Sequence, residues 1–196
     1  ARSEGPVRVA KTVARRTLGL DQRFAELLSD RLGITGLTDP IPLCMDACQL
    51  GLGDDTVDVA FSRCLFEHLD DPARATTELA RVLRPGGVMY LAINPFTGPL
   101  GAHDPDIMSA SVPMDWAHVQ AQPDRHSTSN AFLNRWRLAD YEEMFTELLP
   151  GSTVELWWPA DAELEARLDV LLDAGELDGV DREELLAREL IVVWRK

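Results

Sequence analysis

Apolar positions along this chain alternate between helical spacing and short continuous runs, and the changes of period mark its elements. Residues 7–17, VRVAKTVARRT, form either a short basic amphipathic helix or an extended arm. Asp21 to Leu32 sets Phe24, Leu27, Leu28 and Leu32 on one helical face, and Gly33 follows as a stop. The prolines of LTDPIP disfavour helix, and Leu43 to Asp46 is a brief apolar strand or loop. Asp58 to Ser62, DVAFS, has the continuous apolar character of a buried parallel strand. Asp71 as N-cap and Pro72 at the first helical position open a helix whose inner face is Ala75, Leu79, Val82 and Leu83. Arg84 to Gly87 stop it, and Val88 to Asn94 make the next strand. Strand, helix and strand in that order imply a right-handed crossover in a parallel sheet.

Residues 95–136 lack a sustained period, and a simple connection of that length is uncommon, so a lid or substrate-binding excursion is expected there. Leu138, Tyr141, Phe145, Leu148 and Leu149 then mark a helix closed by Pro150 and Gly151, and Val154 to Trp158 a strand. Asp161 to Ala174 is a helix with Leu164, Leu168, Leu171 and Leu172 inward. Asp181 and Glu184 resemble a capping box opening a last helix, before a final strand from Leu190 to Trp194. Trp136, Trp157, Trp158 and Trp194 sit in or beside these elements and are expected in the core.

At 196 residues the chain suits a single domain. Its expected parts are a basic N-terminal helical segment (1–40), a motif core (43–94), the excursion (95–136) and C-terminal helices and strands (137–196). A net charge of −14 weighs against a nucleic-acid footprint, which needs clustered Lys and Arg. The charge is uneven. Residues 1–37 carry seven basic and four acidic side chains, so a homodimer or protein partner could engage this arm, although a solvated helix face explains it too. From Glu155 to Glu189 twelve acids face three arginines, most simply a solvated surface. Cys44, Cys48 and Cys64 make no fully paired disulfide framework, and no signal peptide or membrane-spanning run is present, so a cytoplasmic location is expected.

Three strings carry chemistry. Asp46 and Ala47, followed by Leu50, Leu52 and Asp58, form the first; SRCLFEHL, beginning at Ser62, the second; ELARVLRPGG, from Glu78 to Gly87, the third. Together they resemble the class I S-adenosylmethionine-dependent methyltransferases that act on small molecules, over residues 43–94, with Gly51 and Val57 departing from the family's usual proline and phenylalanine. The resemblance implies a Rossmann-like α/β sheet with flanking helices, S-adenosylmethionine as cofactor, and methyl transfer to an O, N or C atom of a small-molecule acceptor. It implies that Asp46 accepts from the adenine amino group, which suits an acceptor-only carboxylate, while the Ala47 N–H meets a ring nitrogen. Ser62, Arg63 and Glu67 would face the methionine end, beyond the carboxyl end of a strand. The third string identifies the fold and says nothing of substrate.

His68, whose ordinary pKa lies near operating pH, and His103 are the candidate catalytic bases; alternatively Glu67 and His68 brace the following turn. Asp104, Trp116 and His118, with Asp115, are candidates for lining the acceptor site. Neither Cys44 with Cys48 nor His103 with Asp104 and His118 has a recognised ligand spacing, so no metal site is expected.

No G-x-G-x-x-G loop occurs in residues 1–45, so the N-terminal part is truncated or divergent. Asp21 stands where a ribose-binding acid would, yet too few residues precede it for a strand, loop, helix and strand, and it equally suits a helix N-cap. A fragment, a site completed by a partner, and a degenerate site in a non-catalytic binding or regulatory protein all remain open. A nicotinamide dehydrogenase is disfavoured by the same missing loop and by the lack of a Tyr-x-x-x-Lys pair.

Overall fold

The computed structural model describes residues 6–33, 43–108, 116–120, 128–129 and 131–196. They belong to two compact units, residues 1–44 and 45–196.

In the first unit, α1 (Pro6–Thr17) and α2 (Leu20–Leu32) are joined through Gly19. The basic arm is therefore helical. Gly33 ends α2 in the left-handed conformation (φ 64°), its N–H bonded to the Ser29 carbonyl, as an αL stop requires. The helix begins at Leu20 with Gly19 as N-cap, which puts Asp21 inside the first turn instead of at the cap. Leu27, expected inward, is exposed, and the side chains of Phe24, Leu28 and Leu32 lie outside the described set.

The second unit is built on a four-stranded mixed sheet in the order β1 (Val57–Arg63), β2 (Leu83–Ile93), β4 (Glu189–Arg195), β3 (Thr153–Trp157). β1 and β2 are parallel, joined by a 3₁₀ turn (Phe66–His68) and α3 (Pro72–Val82). β4 runs antiparallel to both β2 and β3. Asp71 caps α3 by accepting from the Arg74 N–H at 2.9 Å, with Pro72 at the first helical position, as the sequence requires.

The expected helix stop at 84–87 is instead part of β2, which starts directly at Leu83. Register explains this: Val57 pairs with Leu83 and Val59 with Val88, so residues 84–87 bulge between them. Gly87 permits the close approach there, since a Cβ on it would stand 3.1 Å from the Asp58 carbonyl oxygen and 2.9 Å from that of Arg84.

Two cores form. Between the sheet and helices α3 and α5 (Leu138–Leu148) pack Phe66, Ala75, Leu83, Leu91, Tyr141 and Phe145. The helical periods of those segments supplied the inward residues, and α5 is half apolar because only one face meets the sheet. The second core joins α6 (Ala162–Asp173), α7 (Arg182–Leu186) and Trp116, which meet through Leu164, Leu168, Leu185 and Leu186. Trp136, Trp158 and Trp194 are partly buried against these cores, whereas Trp157 is 47% exposed on the edge strand β3.

The excursion starts as a packed segment: its described residues up to Asp104 are largely buried, a single helical turn, α4 (Pro105–Met108), follows among the described residues, and Gly98 lies so close to the Ala187 carbonyl that a Cβ would come within 2.1 Å. Among the described residues no helix is long and apolar enough to cross a membrane.

Candidate functional site

Residues following β1 and β2 meet beyond the carboxyl ends of these parallel strands, the side where open α/β sheets bind ligands. Ser62 and Arg63 end β1, and Cys64 leaves it with φ 53°, its N–H bonded to the Ala92 carbonyl. The Ser62 hydroxyl is buried without a hydrogen-bond partner. Arg63 is exposed and ion-paired to Glu189 at the start of β4, so its charge is already engaged.

Asp46 is exposed and makes an Asx turn: its Oδ1 accepts the Cys48 N–H at 2.8 Å, and its carbonyl accepts from Gln49. Ala47 is half-buried against the first core. The loop beyond is held by the third sequence string, which thus does more than identify the fold. Arg81 donates to the Leu50 and Leu52 carbonyls, Asp54 and Glu78, and Glu78 also accepts from the Leu50 N–H. The Arg81 guanidinium first of all, with that N–H, holds the Glu78 carboxyl down at about 2 despite an opposing desolvation contribution.

The turn after β1 points Glu67 inward. Asn134 clamps it: its side-chain amide donates to the Phe66 and Leu69 carbonyls, and its backbone N–H to the Glu67 carbonyl at 2.9 Å. Glu67 is 3% exposed, and neither carboxylate oxygen has a hydrogen-bond partner. Burial pushes its carboxyl up, and the nearby backbone amides and His68 only partly offset this. An unpaired buried charge costs several kcal/mol, so burial favours the neutral Glu67 carboxyl unless a positive group pairs with it.

Two imidazoles stand against it. His68 lies with its ring centroid 4.6 Å from that of His103. Its Nδ1 is 2.7 Å from the Phe132 carbonyl oxygen; a carbonyl only accepts, so Nδ1 carries the proton and Nε2 of the neutral ring keeps its lone pair. His103 is buried with φ 48°, its Nε2 3.3 Å from Asn94 Nδ2 and 3.7 Å from Glu67 Oε1. Burial, then the His68 and His118 rings, lower its pKa, so a neutral base is favoured. The two candidate bases are thus brought together with Glu67.

Among the described residues expected to line the acceptor site, His118 borders a cleft. That cleft, of about 700 Å³, is bounded by Phe96, Ala102, His118, Phe132 and Arg135 among others, a volume suited to a small molecule. His118 donates from Nε2 to the Phe96 carbonyl at 2.7 Å. Asp104 is buried and staples its loop, accepting from the Asp106 and Thr128 N–H groups. Trp116 is fully buried, its indole N–H bonded to the Leu185 carbonyl at 2.9 Å, and offers no surface to a substrate. Asp115 lies outside the described residues. Asn94, Asn134, Phe132 and Arg135 had no sequence signal, since each acts through a loop contact that no period encodes.

Glu184 is the hub of a second buried polar centre. Glu184 accepts from Arg137 through both oxygens at 2.9 Å, from the Thr97 hydroxyl at 2.9 Å and from the Leu138 N–H at 3.1 Å. It therefore does not form the expected box with Asp181, which makes no side-chain cap.

Residues 5–91 match the family model described as a methyltransferase domain. An uncharacterised methyltransferase of Mycobacteroides abscessus is 33% identical over 91 residues, covering 45% of this chain and 35% of that protein. One from Mycobacterium sp. strain JLS is 42% identical over 56 residues, covering 29% of this chain and 22% of that protein. The matched stretches thus span about a third or less of the relatives' length. A solved S-adenosylmethionine-dependent methyltransferase from Mesorhizobium loti superposes with a TM-score of 0.43 at 19% identity, covering 78% of this chain and 68% of that one. Another, from Archaeoglobus fulgidus, gives 0.45 at 9% identity, covering 79% and 66%. Over residues 5–91, somewhat under half of its length and the part that holds all three strings, the chain is similar to a methyltransferase domain.

Proposed function

We propose that this chain supports methyl transfer from S-adenosylmethionine to an O, N or C atom of a small-molecule acceptor, with the cofactor at the carboxyl ends of β1 and β2. The carrying observation is the buried, unpartnered Ser62 hydroxyl at the end of β1, which fits a polar ligand group there. S-adenosylmethionine supplies an electrophilic methyl group that leaves its sulfonium by in-line displacement. Asp46, presented by its own Asx turn, would accept from the adenine amino group with Ala47 beside it. Ser62 and Glu67 would face the methionine end; Arg63 would serve by bracing β1 against β4. The cleft bordered by His118, Phe132 and Arg135 would take the acceptor, and His68 Nε2, its lone pair set by the Phe132 carbonyl, would remove the acceptor's proton. Positioning supplies much of the remaining rate.

A second reading, a non-catalytic binding or regulatory protein, draws on the first unit, whose described residues hold two helices and no strand or glycine loop. Calorimetric titration of the chain with S-adenosylmethionine and S-adenosylhomocysteine separates the two. Measurable heat supports the first; silence at millimolar ligand sinks a self-sufficient cofactor site. Asp46→Ala should weaken binding by about 1.5 to 3 kcal/mol, roughly 10- to 150-fold, for a lost charged hydrogen bond. Unchanged affinity would refute the adenine assignment.

A further inference from the structure

We infer that Glu67, His68 and His103 form a binding site for a divalent first-row transition metal ion such as Zn²⁺. The inference rests on side-chain geometry; it shares Glu67 and His68 with the methyl-transfer proposal, and an ion bound there would occupy the His68 Nε2 lone pair that the proposal assigns to proton removal. One ligand atom from each of the three residues lies within 4.8 Å of the others. Two imidazoles and one carboxylate are a donor set for such ions, borderline in softness and tolerant of a three-ligand site that leaves positions open.

Several features prepare the residues for that role. The Nδ1–H of His68 is committed to the Phe132 carbonyl at 2.7 Å, which leaves Nε2 as the free donor and holds the ring in place, as an outer partner does for a ligating histidine. The Glu67 side chain is buried with both oxygens unsatisfied, although its backbone is clamped by Asn134 so that the carboxylate must point inward. His103 is held at φ 48°, a conformation uncommon outside glycine, which puts its Nε2 3.7 Å from Glu67 Oε1. That separation is too long for a hydrogen bond. It is close to the spacing of two ligand atoms on one tetrahedral ion, about 3.4 Å for bonds near 2.1 Å. A shared cation would satisfy the two Glu67 oxygens and would take over the His103 Nε2 lone pair that otherwise accepts from the Asn94 side-chain N–H at 3.3 Å. Glu67 and His103 are buried while His68 is half-buried.

The test uses the full chain carrying Cys44→Ser, Cys48→Ser and Cys64→Ser, so that thiols do not compete, freed of metal by a chelator and titrated with Zn²⁺. One equivalent of Zn²⁺ should bind, and in ¹⁵N-imidazole spectra the Nε2 resonances of His68 and His103 should shift while those of the other two histidines stay in place. Glu67→Gln, which preserves shape, should weaken Zn²⁺ at least about 100-fold, beyond the 10- to 100-fold typical of an outer partner. Loss of Zn²⁺ binding in the serine background, absence of the two histidine shifts, or unaltered affinity in the Glu67→Gln chain would each overturn the inference. Because the spectra are read on a chain with all three ligands intact, a variant that failed to fold would not spare it.

Discussion

Glu184 is the most informative side chain to remove. It is 4% exposed, and its four hydrogen bonds tie the start of α5 to Thr97 in the loop after β2 and to the residue before the helix, Arg137. Replacing it with Ala strands the Thr97 hydroxyl, which is buried, at a cost of about 1 to 3 kcal/mol. The Leu138 N–H, at the positive end of α5, loses its anion for about another 0.5 to 1 kcal/mol. Arg137 is 41% exposed, so it can turn to water, and its part falls well short of the 3 to 5 kcal/mol for breaking a fully buried pair. Glu184→Ala should therefore destabilise by about 3 kcal/mol, read in urea as a lower midpoint with unchanged slope. Glu184→Gln should cost less, since its amide oxygen still accepts from Thr97. A double-mutant cycle with Arg137→Ala should show coupling of about 1 kcal/mol or more. The pH dependence has a definite sign. Burial alone would raise the Glu184 pKa, but Arg137, the Leu138 N–H and Thr97 together bring it below the ordinary value. Its stabilisation is then complete above the unfolded value of about 4.3 and lost as pH falls through the lower folded one, and Glu184→Gln should flatten that acid limb. A loss under about 0.5 kcal/mol for Glu184→Ala, or an additive cycle, would refute this account.

Two further substitutions separate packing from binding. Trp116→Phe removes the indole N–H and leaves the buried Leu185 carbonyl unpaired, so stability should fall by about 1 to 3 kcal/mol while affinity for any ligand of the cleft is unchanged; a selective loss of ligand affinity would restore Trp116 to the acceptor site. Asn134→Ala should release the turn around Glu67, seen as faster amide exchange at residues 66–69 with a stability loss of about 1 to 3 kcal/mol, and unchanged exchange would show that the clamp is dispensable.

The sequence by itself determined most of the elements and the family resemblance. Helical spacing located α3, α5 and α6 to within a residue or two, because one face of each must meet a core, and Asp71 with Pro72 marked a helix start through chemistry confined to one turn. The three strings were readable for the same reason: each does its work within a few residues. Tertiary structure decided everything that depends on long-range contact. Leu83 to Gly87 joined β2 because Leu83 pairs with Val57 of β1 and the backbones of Gly86 and Gly87 bond to that of Lys196 after β4, against a local pattern of helix stop. Glu184 left its expected cap for Arg137, where a charged partner from a distant segment satisfies a buried carboxylate better than a local N–H. The excursion contains both a core residue, Trp116, and cleft residues such as His118, and no period distinguished them, since their roles follow from which surfaces they meet. Likewise Glu67 and His68 were visible as neighbours, but only the folded chain brings in His103 and the Phe132 carbonyl that set their chemistry.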